Sequence, residues 1–170
     1  MDYLSNLSEE EINLMQDAIP MVTILIAGAD DNIDEEEKAW GEKLTHIRTY
    51  NDANSEDIQH FYQEVQKSYS EKVTSMVAAF PKNVKERTQE IADKLSGLNE
   101  ILPKIDPTFA GEYYTTLVSF ARQIAEASGG FMRFFSVSNE EKKLMDLPMI
   151  TPIEYVKETE ESDNGSEEAE

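Results

Sequence analysis

Cysteine is absent from the 170 residues. That excludes a disulfide framework, a thiolate metal site and a thiol nucleophile, and it agrees with a reducing compartment. Histidine occurs twice, at His46 and His60, and neither sits in the His-Glu-x-x-His pattern of zinc hydrolases. Glu42 and His46 are one helical turn apart, as are Asp57, His60 and Glu64, which is the ordinary spacing of charge pairs on solvated helix faces. There is no Gly-x-Ser-x-Gly elbow, P-loop or dinucleotide fingerprint. Carboxylates are so numerous that no pair of them singles out a glycosidase. Positive charge is scarce: 15 Lys and Arg stand against 35 Asp and Glu, for a net charge of -20. Such a surface repels phosphate backbones and anionic membranes, so nucleic acid is not an expected partner. Long apolar runs are also missing. The longest, Ile19 to Ala29, is broken by Pro20 and falls short of the ~20 residues of a membrane span. The first residues are neither basic nor apolar, so no signal peptide is expected, and the expected location is the cytoplasm.

What the chain does have is an ordinary apolar fraction with helical period, enough for one domain with a real core. Ser8-Glu9-Glu10-Glu11 is a capping box, and the helix it opens carries Ile12, Leu14, Met15, Ala18 and Ile19. Pro20 suits the first turn of a new helix or a kink. That second helix, about 20 to 29, is apolar on nearly every side and reads as the central buried one. Asp34 with Glu37 starts a third, whose inward face is Trp40, Leu44 and Ile47. Ser55 caps a long fourth helix reaching Phe80, with Ile58, Phe61, Tyr62, Val65, Tyr69 and Val73 in helical step. Asn83 with Glu86 opens a fifth helix running to Leu102. Asp106-Pro107 begins a sixth, which Gly129-Gly130 stops, and Ser138 with Glu141 starts a short last helix ended by Pro148. Nothing reads as a strand pair. The expected fold is therefore all-α, a compact bundle of about seven helices over residues 1–152. Residues 153–170 form an acidic tail, expected to be disordered, with eight acids and one lysine in 154–170.

The most informative stretch joins an apolar helix to an acidic one: Ala27-Gly28-Ala29-Asp30-Asp31-Asn32-Ile33-Asp34-Glu35-Glu36-Glu37. A fainter copy follows Ile124-Ala125-Glu126-Ala127-Ser128-Gly129-Gly130 and resumes at Ser138-Asn139-Glu140-Glu141. Two copies of helix, small-residue turn and acid-started helix point to a degenerate internal duplication. Residues 24–40 and 124–145 resemble the tellurite-resistance TerB-like family, whose members repeat an Ala-x-Ala-Asp-Gly turn before an acid-rich helix. Asn32 stands near the usual glycine and tolerates the same left-handed backbone. The second copy departs from the pattern, with Ser128 in place of an aspartate and a longer aromatic loop. The resemblance implies a compact helical domain with a role in bacterial stress responses such as tellurite resistance. It also implies kinship to domains found beside a membrane-anchored DnaJ-type co-chaperone. No enzymatic chemistry is established for that family, and acidic residues of the turn have been considered divalent-cation ligands.

Asp30, Asn32 and Asp34 alternate like the first ligands of an EF-hand, but counting from Asp30 puts Glu35 at position six and Gly41 at position twelve. The EF-hand needs Gly and a bidentate Glu there, so this is not one. A looser site would use Asp30, Asp34, Glu37 and, from the second copy, Glu141, with calcium or magnesium as its ion. The competing reading spends Asp34 and Glu37 on capping a helix and its dipole. The segment from Gly129 to Val137 is unusually apolar for a connection. If exposed, Phe131, Arg133, Phe134 and Phe135 form a partner-docking patch; if buried, they close the end of the bundle. These features combine into an expected non-enzymatic stress-response or interaction module that recognises a basic protein partner through an acidic face and an apolar patch. The alternatives are a divalent-cation-binding or sensing protein and a small metal-assisted hydrolase built on Asp30, Asp34 and Glu37, which would need an open coordination position.

Overall fold

The computed structural model describes residues 2–30, 35–127 and 144–154, without the side chains of Asp2, Asp30, Glu36, Glu37 and Ala127. These residues form an all-α bundle of seven helices: α1 Glu9–Ala27, α2 Glu35–Arg48, α3 Glu56–Gln66, α4 Tyr69–Ala79, α5 Val84–Ser96, α6 Leu98–Ile101 and α7 Pro107–Ala127. No strand occurs among them.

Helix starts follow the local chemistry. The Ser8 hydroxyl accepts from the Glu11 amide at 3.2 Å and the Glu11 carboxylate accepts from the Ser8 amide at 2.8 Å, closing a reciprocal cap. Ser55 and Asn83 accept from Ile58 and Glu86 amides in the same way. Asp106 accepts from Phe109, with Pro107 as the first residue of α7. The expected caps at Asp34 and Ser138, and the acidic tail from 155 onward, lie outside the described residues.

The expected pair of helices before residue 29 is one helix. α1 runs through Pro20 without interruption. An interior proline removes one i→i−4 bond, at about 3 kcal/mol. Every residue from Ala18 to Ala27 is buried, and the packing of that segment on all sides offsets the loss. α1 is the hub, packing against α2, α3, α4, α5 and α7. Thr23, a buried polar residue inside it, donates to the Ile19 carbonyl at 3.3 Å and shares a 2.6 Å hydrogen bond with the Tyr69 hydroxyl of α4.

The expected single helix over 55–80 is two, α3 and α4, separated at Lys67 and Ser68. Its apolar stripe is periodic throughout, so periodicity gives no sign of a break. Tertiary packing requires one: α3 lies on α2, α7 and α1, whereas α4 turns away to lie mainly on α1. The fifth expected helix likewise ends early, at Gly97. A Cβ at Gly97 would come within 2.9 Å of the Leu14 side chain, so a larger residue there would require that side chain to shift. The inward face of α2 is also shifted. Gly41, Leu44, Thr45 and Arg48 are buried, while Trp40 and Ile47 are half-buried.

An aromatic cluster fills the base of the bundle. Phe61 meets Tyr113 edge-on at 5.4 Å between centroids, Tyr3 lies 4.3 Å from Phe109, and the Tyr113 hydroxyl donates to the Met15 carbonyl at 2.9 Å. The segment after residue 143 is tied on by the Asn99 side chain, which donates to the Met149 carbonyl at 2.9 Å and accepts from the Thr151 amide at 2.7 Å. Leu147, at φ 48, and Ile150 are buried beneath this strap.

Candidate functional site

A groove of about 480 Å3 along α1 combines apolar and charged groups. Glu10, Asn13, Leu14, Asp17 and Met21 contribute from α1 at i, i+3, i+4, i+7 and i+11, one continuous line down that helix. Met76, Ala79 and Phe80 wall it on the α4 side, and Glu90 and Lys94 on the α5 side. The local sequence explains the line. Met15, Ala18 and Ile19 of α1 point into the core, so the line through Leu14 falls beside that face and stays only half-covered. Met21 and Phe80 are nearly closed off, at 2% and 8% exposure, and form the floor. Glu10 and Glu90 are exposed at the rim.

α5 runs antiparallel to α1 beside the groove. Gly97 abuts Leu14 at one end, and Arg87 reaches Gly28 at the other. α4 packs on the same helix but makes little contact with α5, so among the described residues a stretch of α1 is only partly covered between them. The charges on the rim are partly paired. Asp17 meets Lys72 at 2.5 Å and Glu90 meets Lys94 at 3.9 Å, whereas Glu10 has no cation within ion-pair distance among the described residues. Next to it, the Lys104 ammonium at 2.5 Å and the Ser8 amide hold the Glu11 carboxyl below its ordinary pKa.

A second, smaller cavity of about 150 Å3 lies between α2 and α4, beside Tyr69 and Val73. Its Glu35 is already paired with Lys38. Burial pushes the Tyr69 phenol well up, and its hydroxyl is bound to Thr23, which suits a structural group and not a proton donor near neutral pH.

Two buried arginines complete the picture. Arg48 is 5% exposed, its guanidinium 5.5 Å from the Tyr62 ring centre and 5.6 Å from that of Phe120. One amino group donates to Ser119 and Gln123, and Nε lacks a hydrogen-bond partner among the described residues. Arg87 donates to the carbonyls of Pro81, Lys82 and Gly28, at 3.4, 3.1 and 2.6 Å. It thereby pins the end of α1, where the acidic turn begins, to the α4–α5 connection.

The side chains expected from the sequence to bind a cation all fall outside the described part. The backbone of Asp30 ends a short 3-10 turn and that of Glu37 lies in α2. Their side chains, all of Asp34 and all of Glu141 lie outside the described residues, as do Phe131, Arg133, Phe134 and Phe135. Among the described residues no three His, Asp or Glu side chains converge as metal ligands. His46 and His60 are exposed, and His46 Nδ1 bonds the Gln66 amide at 2.8 Å. No described helix is long and apolar enough to cross a membrane. Comparison with family models, with curated proteins and with solved structures returns no match for this chain.

Sequence reasoning missed both the groove and Arg87. Glu10, Leu14, Asp17 and Met21 do fall on one line of α1, but that spacing gives no sign of which helices cover the line. Arg87 had no readable signal, because its closest carbonyl partner, Gly28, lies 59 residues away.

Proposed function

We propose that this chain is a TerB-like, non-enzymatic interaction module of the stress-response type, and that it recognises a basic protein partner. The observation that carries the reading is the groove on α1, whose apolar floor lies within a rim of Glu10, Asp17 and Glu90. Apolar contact supplies affinity in such a groove, and carboxylates around it select cationic partners and speed encounter. A net charge of -20 extends the same preference over the whole surface. The likeness of residues 24–40 to the TerB-like turn, and the all-helical bundle that follows that turn, support the family part of the reading.

The test compares the wild-type chain with Met76→Glu and with the double variant Glu10→Lys, Glu90→Lys as bait against proteins of the native host. All three positions are at least partly exposed, so melting curves should stay close to wild type. The wild-type chain is expected to retain basic proteins at low salt and release them as salt rises, and both variants are expected to lose the same proteins. An identical retained set in all three baits would refute the groove as the recognition surface.

A further inference from the structure

We infer that the occupant of the groove is an amphipathic α-helix bearing Lys or Arg, with its apolar stripe on the half-buried Leu14 and Met76 and the exposed Ala79, above Met21 and Phe80, and its cations against Glu10 and Glu90. This deepens, and rests on, the groove reading above.

The groove is walled by helices alone, and no strand edge exists among the described residues to which an extended peptide could add. An extended occupant would therefore leave its amides and carbonyls unpaired over an apolar floor, at a cost of order 1–3 kcal/mol for each group. A polyproline ligand avoids that cost but requires an aromatic-lined groove, and Phe80 is the one ring in this lining. Phosphorylated or acidic segments are recognised by clustered arginines, whereas three of the four charged groups here are carboxylates. A helix brings its own backbone hydrogen bonds and needs only a stripe to sit on.

The dimensions agree. From Glu10 to Asp17 the line on α1 that the described residues leave open is about 10 Å long, two helical turns, and the buried Met21 closes its end. α4 and α5 both lie on α1 while making little contact with each other, and this is the slot that one more helix of a bundle occupies, at interaxial distances of about 8–10 Å. Two of the floor side chains, Met21 and Met76, are unbranched and polarisable. They reshape around different apolar residues and so fit a surface that receives a helix from outside the fold. The charge pattern sets the sign of the occupant's polar face. Glu10 is without a cation among the described residues, and Glu90 is held by Lys94 only at 3.9 Å. Both can take a new cation with little loss, unlike Asp17, whose pair with Lys72 is close.

The experiment uses the full chain labelled at its methionine methyl groups, with Met21→Leu and Met76→Leu identifying the two floor signals. Three synthetic peptides of about 14 residues, long enough for the ~10 Å line, are titrated in. One is a Leu/Lys sequence with leucine at i, i+3, i+4 and i+7. Another has the same composition scrambled to remove the stripe. A third replaces lysine by glutamate. The Leu/Lys helix is expected to shift the Met21 and Met76 methyls, to gain helical dichroism on binding, and to bind at least about tenfold more tightly than either control, equivalent to 1.4 kcal/mol. Glu10→Lys with Glu90→Lys should abolish that preference. If the scrambled peptide shifts the same methyls with equal affinity and without helix gain, the groove accepts basic chains but not a helix, and only this inference falls. If no basic peptide moves the floor methyls, the groove reading falls with it.

Discussion

Gly41 shows how one side chain position is decided by contact across the bundle. A Cβ there would overlap the Tyr69 hydroxyl and stand 3.0 Å from the Thr23 hydroxyl, so the glycine is what allows α2, α1 and α4 to meet at the buried Thr23–Tyr69 hydrogen bond. Overpacking of this kind costs about 1–3 kcal/mol, and Gly41→Ala should lower stability by that much in urea unfolding. Tyr69→Phe alone loses one hydrogen bond, about 1 kcal/mol, while Thr23 keeps its bond to Ile19. In the double variant the overlapping oxygen is gone, so the combined loss should be smaller than the sum of the single losses. Strict additivity would show that the glycine is not there for the tyrosine. At this same scale the sequence is readable where a residue serves its own neighbours. Ser8, Glu11, Ser55 and Asn83 cap as expected, because their partners lie three residues away. Gly41 and Arg48 are opaque because their partners lie tens of residues distant, and Arg87 because its shortest bond goes to Gly28, 59 residues away.

Helices break and turn for reasons of the same kind. Pro20 invited a boundary and α1 ignored it, because ten consecutive buried residues hold the helix together. The 55–80 stripe invited continuity, and the chain bent at Lys67 and Ser68 to reach two sets of neighbours. Arg87 joins three such elements by bonding carbonyls at the end of α1 and in the α4–α5 connection. A lysine offers one compact ammonium in place of a planar fork and cannot span all three carbonyls. Arg87→Lys should therefore cost about 1–3 kcal/mol in the urea midpoint. Amide exchange should rise first near residues 26–30 and 80–84, leaving α7 protected. Uniform acceleration over the whole chain would show that Arg87 contributes to global packing and is not a local clamp.

Over the whole molecule, the buried phenols set an alkaline limit. Burial raises the pKa values of Tyr62, Tyr69 and Tyr113 above the ordinary 10.0, with Arg48 opposing the shift at Tyr62. Tyr3 is pushed up to about 12 by burial and by nearby Asp57 and Glu64. Below 10.0 these phenols are neutral in both states and add no pH dependence. Above it the unfolded chain ionises while the folded one resists, so stability falls with rising pH. Each of the three deeply buried phenols removes about 1.4 kcal/mol per pH unit in that window. Phenolate absorbance and loss of helical dichroism should thus appear together in one cooperative step above 10.0. Tyr62→Phe, which deletes one of these three buried hydroxyls, should move the step to higher pH. A gradual absorbance rise with the dichroism intact would contradict this.

Helix content, most helix starts, the sign of the surface charge and the burial of the 20–29 segment are all written locally in the chain. They depend on hydrogen bonds to residues three or four positions away and on a repeating apolar period, both visible in a short window. The break between α3 and α4, the partly covered line on α1 and the two buried arginines come from packing. Each depends on which distant helix covers which face, and no local window contains that information. The groove is the clearest case. Leu14 and Met21 are ordinary helix residues in the sequence, and they become a floor because α4 and α5 settle on α1 apart from each other.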